Sequence, residues 1–144
     1  MKYLLIIFIT SLLIFSCSKD KFNSKPGLTL KSLSSTFIPA GGGLEVTMRL
    51  TDLEGDIGDT IWIRKLTTRC ANSNFTDSGS YRIPSDIPRI KNLDGDLVLT
   101  FPYSGWLQPQ CTRADTAVFS FWVKDQKKNV SDTVVTPAII IERQ

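Results

Sequence analysis

Histidine is absent from all 144 residues. Its absence removes Ser-His-Asp and Cys-His nucleophile arrangements and every zinc site that uses imidazole. Cysteine is scarce too, with three in the chain and no Cys-x-x-Cys pair, which excludes a thiolate-only zinc site and a thioredoxin-type redox centre. Neither a Gly-x-x-x-x-Gly-Lys-Ser/Thr loop nor a Gly-x-Gly-x-x-Gly turn occurs, so no nucleotide-binding signature is present. No stretch beyond the N-terminal segment sustains the apolar period of a helix. The 17 basic residues barely outnumber the 14 acidic ones and are scattered, so no nucleic-acid footprint emerges.

Charge is almost missing from the N-terminus. Met1-Lys2-Tyr3 leads into an apolar stretch of about a dozen residues before Cys17, which has the shape of a secretory signal and is shorter than the roughly 20 residues of a membrane span. Ile14-Phe15-Ser16-Cys17 resembles the lipobox of bacterial lipoproteins, with Phe15 where that pattern has a small residue. The resemblance implies a signal peptide over residues 1–16, lipidation of Cys17 and attachment to a membrane; an ordinary cleaved signal or an uncleaved anchor are the alternatives. Residues 17–27, charged, polar and ending in Pro26-Gly27, read as a flexible tether. Ser18-Lys19-Asp20 resembles the post-cysteine export signal of Bacteroidota lipoproteins without its acidic run. Surface and periplasmic faces of the outer membrane both stay open.

With Cys17 lipidated, Cys70 and Cys111 remain as a pair in an oxidising compartment, where a disulfide is expected and two free buried thiols are the alternative. Such a bridge closes a loop of about 40 residues and contributes roughly 3–4 kcal/mol in the chain-entropy account.

Residues 28–144 are long enough for one core. Leu44 to Leu50 alternates apolar and polar residues, the mark of a half-buried antiparallel strand, and Leu97 to Phe101 and Ala117 to Val123 repeat the habit. Further strands are predicted over Leu28 to Leu33, Ile61 to Leu66, Tyr81 to Ile83, and Val130 to Ile141 with a break at Pro137. Turn residues separate them at Pro39 to Gly43, Asn92 to Asp96 and Asp125 to Asn129, with Asp94-Gly95 taken as a hairpin turn and Lys127-Lys128 as a solvated one. The prediction is an all-β antiparallel sandwich of about seven strands.

The closing segment, from Phe119 through Val123-Lys124-Asp125 and Asn129-Val130-Ser131 to Ile141, is similar to the last hairpin of bacterial immunoglobulin-like domains. Asp52-Leu53-Glu54-Gly55-Asp56-Ile57-Gly58 resembles an acidic segment those domains carry after an earlier strand. The resemblance implies a small extracytoplasmic immunoglobulin-like lipoprotein and no particular activity.

The stretch from Thr51 to Thr60 holds four carboxylates and two glycines. Asp52, Glu54 and Asp56 alternate along a glycine-relieved turn, the arrangement by which several oxygens converge on a hard cation such as Ca²⁺. Asp59 follows in the same stretch, and Asp125 completes the shell if its loop meets this one. An EF-hand is excluded, because the twelfth position from Asp52 is Ile63 and not a bidentate Glu. The competing expectation is a metal-free turn whose carboxylates cap local amides.

Tyr103, Trp106 and Leu107 lie in a proline-flanked loop and are the candidate binding residues for a protein or glycan partner. Trp62 and Trp122 are expected to pack across the sandwich, as tryptophans do in this fold class, although both fall opposite the inward-facing sets. Thr60, Thr116 and Thr133, each in an Asp-Thr-apolar triplet, match the short O-glycosylation pattern of the lineage that the export signal resembles. The sequons at Asn74 and Asn129 carry no meaning in a bacterial lipoprotein. Together these readings predict a non-catalytic, lipid-anchored envelope module that binds a protein or glycan. The alternative is a structural spacer stabilised by a disulfide and Ca²⁺, and a remote one is a hydrolase using paired carboxylates across a cleft.

Overall fold

The computed structural model describes residues 24–68, 70, 79–85 and 87–144. Cys17, the signal segment, most of the tether and the Asn74 sequon lie outside the described residues. Among the described residues nine strands run in the order β1 (Gly27–Leu33), β2 (Phe37–Ile38), β3 (Leu44–Asp52), β4 (Ile57–Thr67), β5 (Gly79–Arg82), β6 (Leu93–Phe101), β7 (Asp115–Asp125), β8 (Val134–Val135) and β9 (Ile139–Ile141). Every strand predicted from alternation is present. The count exceeds seven because β2 is an additional two-residue strand and the last predicted strand is split into β8 and β9, with Pro137 between them. Proline has no amide to give to a ladder, so the strand breaks there.

Two sheets form. One has the order β1-β3-β6 and is antiparallel throughout; the other has the order β2-β9-β7-β4-β5, with β8 also pairing β7 and β2 running parallel to β9. Non-consecutive neighbours in both sheets give a two-sheet immunoglobulin-like sandwich, in which β7 and β4 are the centre of the larger sheet. Alternation explains the faces. In β3, Leu44, Val46, Met48 and Leu50 are buried, and they meet Ile61 and Ile63 of β4 and Ala117, Phe119, Phe121 and Val123 of β7. Phe101 of β6 crosses the gap, with its ring 5.5 Å from that of Phe119 and 6.1 Å from that of Phe121. Each such side chain contributes about 1.5–3 kcal/mol relative to leaving it in water, so these faces account for most of the cohesion.

Two local expectations are corrected. Asp94-Gly95 is not a turn: both residues lie inside β6 and pair with Thr51 and Leu50 of β3. The chain arrives here from the other sheet, turning at Lys91-Asn92 where Asn92 has φ 58°, and the acids of the segment serve as cross-strand partners. Arg49 Nε and Nη2 each donate to Asp94 at 2.6 Å, and Lys31 Nζ donates to Asp96 at 2.6 Å. Trp62 and Trp122 do not pack across the sandwich. They are directly opposite each other on neighbouring strands, half-buried on the outer face of the six-stranded sheet, so strand alternation outweighed the habit of the fold class.

Candidate metal centre

The alternation that buries Leu44 to Leu50 does not stop at the end of the apolar residues. Asp52 occupies the next inward position of β3 and is 1% exposed. Asp125 occupies the corresponding position at the end of β7 and is also buried. Both acids therefore arrive at the same pole of the sandwich.

The turn from β3 to β4 is held from several directions. Asp52 Oδ2 accepts the amide of Asp56 at 2.9 Å, the amide of Asn92 donates to Leu53 O at 2.9 Å, and the amide of Gln126 donates to Asp56 O at 2.8 Å. Gly55 sits at φ 70°, and a Cβ there would lie 2.0 Å from Ile90 O, so the turn closes only with glycine at this position. One ligand oxygen from each of Asp52, Glu54 and Asp56 falls within 4.8 Å of the others. Asp52 Oδ1, Glu54 Oε2 and Asp56 Oδ1 are buried and find no hydrogen-bond partner among the described residues. Buried carboxylate oxygens in that state are costly unless something positive sits between them.

Burial pushes the Asp52 carboxyl above its ordinary value; the amides of Asp56 and Gly55 pull it back, and the charges of Asp56 and Glu54 add to the rise. Lys127 stands at the outer edge, its Nζ 3.5 Å from Glu54 Oε1 and 3.9 Å from Asp56 Oδ2. Lys127 lies in the solvated turn expected for it, yet its ammonium also faces the acids. No local signal shows this, since Lys127 and Glu54 meet only through the β4–β7 pairing.

The remaining predicted ligands stay outside. Asp125 is close in the fold, but Asn129 consumes its carboxylate, with the amide on Oδ1 at 2.7 Å and Nδ2 on Oδ2 at 2.6 Å. Asp59 is exposed and accepts the Thr60 hydroxyl at 3.0 Å. The donor set is therefore three carboxylates on one turn, all oxygen, suited to a hard divalent cation whose other positions are filled by carbonyls and water.

The predicted binding loop is corrected. Tyr103 and Leu107 are buried and Trp106 packs against the core. Residues Tyr103–Leu107 form one wide turn, closed by the amide of Gln108 on Tyr103 O at 2.8 Å, which folds back over the opposite pole. Trp106 stacks on Tyr81 at 4.9 Å and meets Phe101 edge-on at 5.3 Å. Tyr103 Oη donates to Glu142 O at 2.7 Å and accepts the amide of Gln144 at 2.9 Å. This loop is a plug. The expected disulfide joins Cys70 and Cys111 at the same pole, with Cα atoms 5.5 Å apart.

Lys65 and Asp115, also at this pole, are two buried charges of opposite sign that sequence reading missed, and Asp115 Oδ2 has no hydrogen-bond partner among the described residues. Each is 1% exposed. Lys65 Nζ donates to Leu107 O at 3.1 Å, and burial lowers its pKa while the Asp115 charge opposes the fall. The signal was available, because Lys65 follows Ile61 and Ile63 on the inward set of β4. Of the three candidate glycosylation sites, Thr60 and Thr116 are half-buried within strands and Thr133 is exposed in the loop before β8.

No protein-family model matches the chain, and no curated protein does. Among solved structures, a beta-glucosidase from Listeria innocua in complex with gluconolactone aligns with 83% of this chain at 12% identity and a TM-score of 0.47, and this chain spans only 16% of it. The CARDB domain of a Pyrococcus furiosus protein in complex with di-metal ions aligns at 12% identity and TM-score 0.37, covering 85% of this chain and 91% of that one. A type I cohesin–dockerin complex from Clostridium thermocellum aligns at 6% identity and TM-score 0.36, covering 87% and 98%. With TM-scores below 0.5, none of the three bears on what this chain binds; the fold rests on its own sheet order.

Proposed function

We propose that the chain is a non-catalytic accessory module of the cell envelope, anchored to the outer membrane by lipid at Cys17, that presents an immunoglobulin-like sandwich to a protein or glycan partner and holds Ca²⁺ in its β3–β4 turn. The lipobox resemblance supports the anchor, and the tether of residues 17–27 gives the sandwich reach on either the surface or the periplasmic face. The observation that carries the cation is the set of buried, partnerless oxygens on Asp52, Glu54 and Asp56. An ion there supplies the positive charge that converts three repelling carboxylates into one closed turn, and the residues fit a hard cation and no soft one.

A hydrolase needs two carboxyl groups flanking a groove open to substrate. Asp52 is sealed, and Asp94 and Asp96, which do line a concavity, are ion-paired to Arg49 and Lys31. A spacer role needs the same cation and disulfide and differs only in having no partner.

The test is a thermal melt of EDTA-treated protein with added Ca²⁺. At a hundredfold excess over Kd, ion binding stabilises by about 2.7 kcal/mol, or roughly 10 °C for a domain of this size. Asp52→Asn abolishes the response. An unchanged melting temperature at millimolar Ca²⁺ defeats the cation site.

A further inference from the structure

The outer face of the six-stranded sheet is unlike a solvated strand face. Its outward positions carry Trp62, Arg64 and Leu66 on β4 and Val118, Ser120, Trp122 and Lys124 on β7. The Trp62–Trp122 pair and the Arg64–Ser120 pair are directly opposite across the strands, so two indoles lie side by side with a guanidinium one step along. Lys124 Nζ sits 5.5 Å over the Trp62 ring, and Arg82 of β5 flanks the same face. Among these described strand positions there are three cations and no carboxylate. Asp132, in the adjoining loop, is taken up by Lys25, whose Nζ is 2.5 Å from its Oδ1.

Beside Trp122 the face dips into a shallow groove of about 350 Å³, lined by Arg64, Ser120, Trp122, Val130 and Thr133. An aromatic wall, one guanidinium and two hydroxyls are the elements that grip a pyranose ring carrying an acid group. The ring's C–H face stacks on the indole, the carboxylate takes the guanidinium, and a sugar hydroxyl bonds the exposed Thr133, with the mostly buried Ser120 at the floor of the groove. The openness of the groove and the cations lying on both sides along the sheet suit a chain of such sugars and not a single enclosed one.

We infer that this face binds an acidic glycan, with Arg64 reading the sugar carboxylate, Trp122 forming the stacking platform and Trp62 beside it under Lys124. The inference rests on the reading of the chain as a binding module and names its ligand class. Charge complementarity commits it to an anionic saccharide: a neutral sugar leaves Arg64 in the groove and Arg82 along the sheet unused, and a flat bilayer does not enter the groove.

The probe is an oligogalacturonate hexamer titrated into the mature chain, followed by the three indole N–H resonances of Trp62, Trp106 and Trp122, which are assigned from single Trp→Phe variants. The expected result is a saturable shift of the Trp62 and Trp122 signals with a Kd on the order of 1 mM, and no shift of Trp106. Arg64→Gln weakens binding about tenfold or more, and Lys31→Gln on the opposite sheet leaves it unchanged. No shift, a shift confined to Trp106, equal affinity for neutral maltohexaose, full affinity in Arg64→Gln, or a response to phosphatidylglycerol vesicles alone overturns the inference. A parallel Ca²⁺ melt on the same sample separates the two ideas, since a failed sugar titration with an intact Ca²⁺ response removes this ligand and leaves the cation site standing.

Discussion

The two poles of the sandwich both bury charge and provide for it differently. At one pole the charge is Lys65, which gives a hydrogen bond to Leu107 O and lies in the field of Asp115, under a plug of Tyr103 and Trp106 and beside the Cys70–Cys111 bridge. At the other pole it is Asp52, flanked by two further acids, with Lys127 reaching those two acids only from the rim. A buried cation that hydrogen-bonds a carbonyl and feels one acid is partly provided for by the protein; a buried acid among acids calls for an ion from solution. Asp115 Oδ2 is also buried without a hydrogen-bond partner, but it is a single acid in the field of a buried cation, whereas three such oxygens gather at the second pole with no buried cation among them, so solution conditions act most strongly there.

Breaking the covalent pole should have the largest effect. Cys70→Ser with Cys111→Ser lowers stability by roughly 3–4 kcal/mol in denaturant unfolding, and reductant does the same to the native protein but leaves Ca²⁺ binding in place. At the other pole Gly55→Ala costs about 3 kcal/mol, since it combines a left-handed backbone with a clash against Ile90 O, and it removes the Ca²⁺ response as well. A Gly55→Ala protein that melts normally and still binds Ca²⁺ would show that the turn has another closed form.

pH sharpens the contrast further. The folded value of Asp52 is raised above the ordinary 3.8, so within the window between 3.8 and the raised value the folded state holds more protons than the unfolded chain. Metal-free protein therefore loses stability as pH rises through that window, and Ca²⁺, which needs the ionised carboxylate, binds more weakly as pH falls through it. Melts with and without Ca²⁺ across the window should show opposite slopes, and Asp52→Asn should flatten both. The smallest effect belongs to Lys127→Gln, which withdraws the rim cation and raises Ca²⁺ affinity about threefold by calorimetry, in keeping with an exposed ion pair.

Most of the fold could be read in the residue order, because period-two alternation reports directly which side chains face the core. Alternation even located Trp62 and Trp122 on the outside, where the general habit of the fold class pointed inward. Turn chemistry was a poorer guide. Asp94-Gly95 has the local preference of a hairpin, yet pairing with β3 and the ion pairs to Arg49 and Lys31 hold it in a strand, so tertiary contacts overrode propensity. Tyr103, Trp106 and Leu107 looked like an exposed loop because prolines flank them, and nothing local reports that the loop folds back onto Phe101 and Tyr81.

The acidic turn divides along the same line. Its residue types, the spacing of Asp52, Glu54 and Asp56 and the relief offered by Gly55 are properties of neighbours in the chain, and the amino-acid order settled them; the small count of cysteines favoured a Cys70–Cys111 bridge, and the structure decided it. Which carboxylates are sealed and that Lys127 guards the rim depend on how β3, β4 and β7 stack at one pole. Asn129 takes Asp125 within one turn, four residues away, but Lys127 reaches Glu54 and Asp56 across about seventy positions, and only burial of the two apolar faces against each other brings those together.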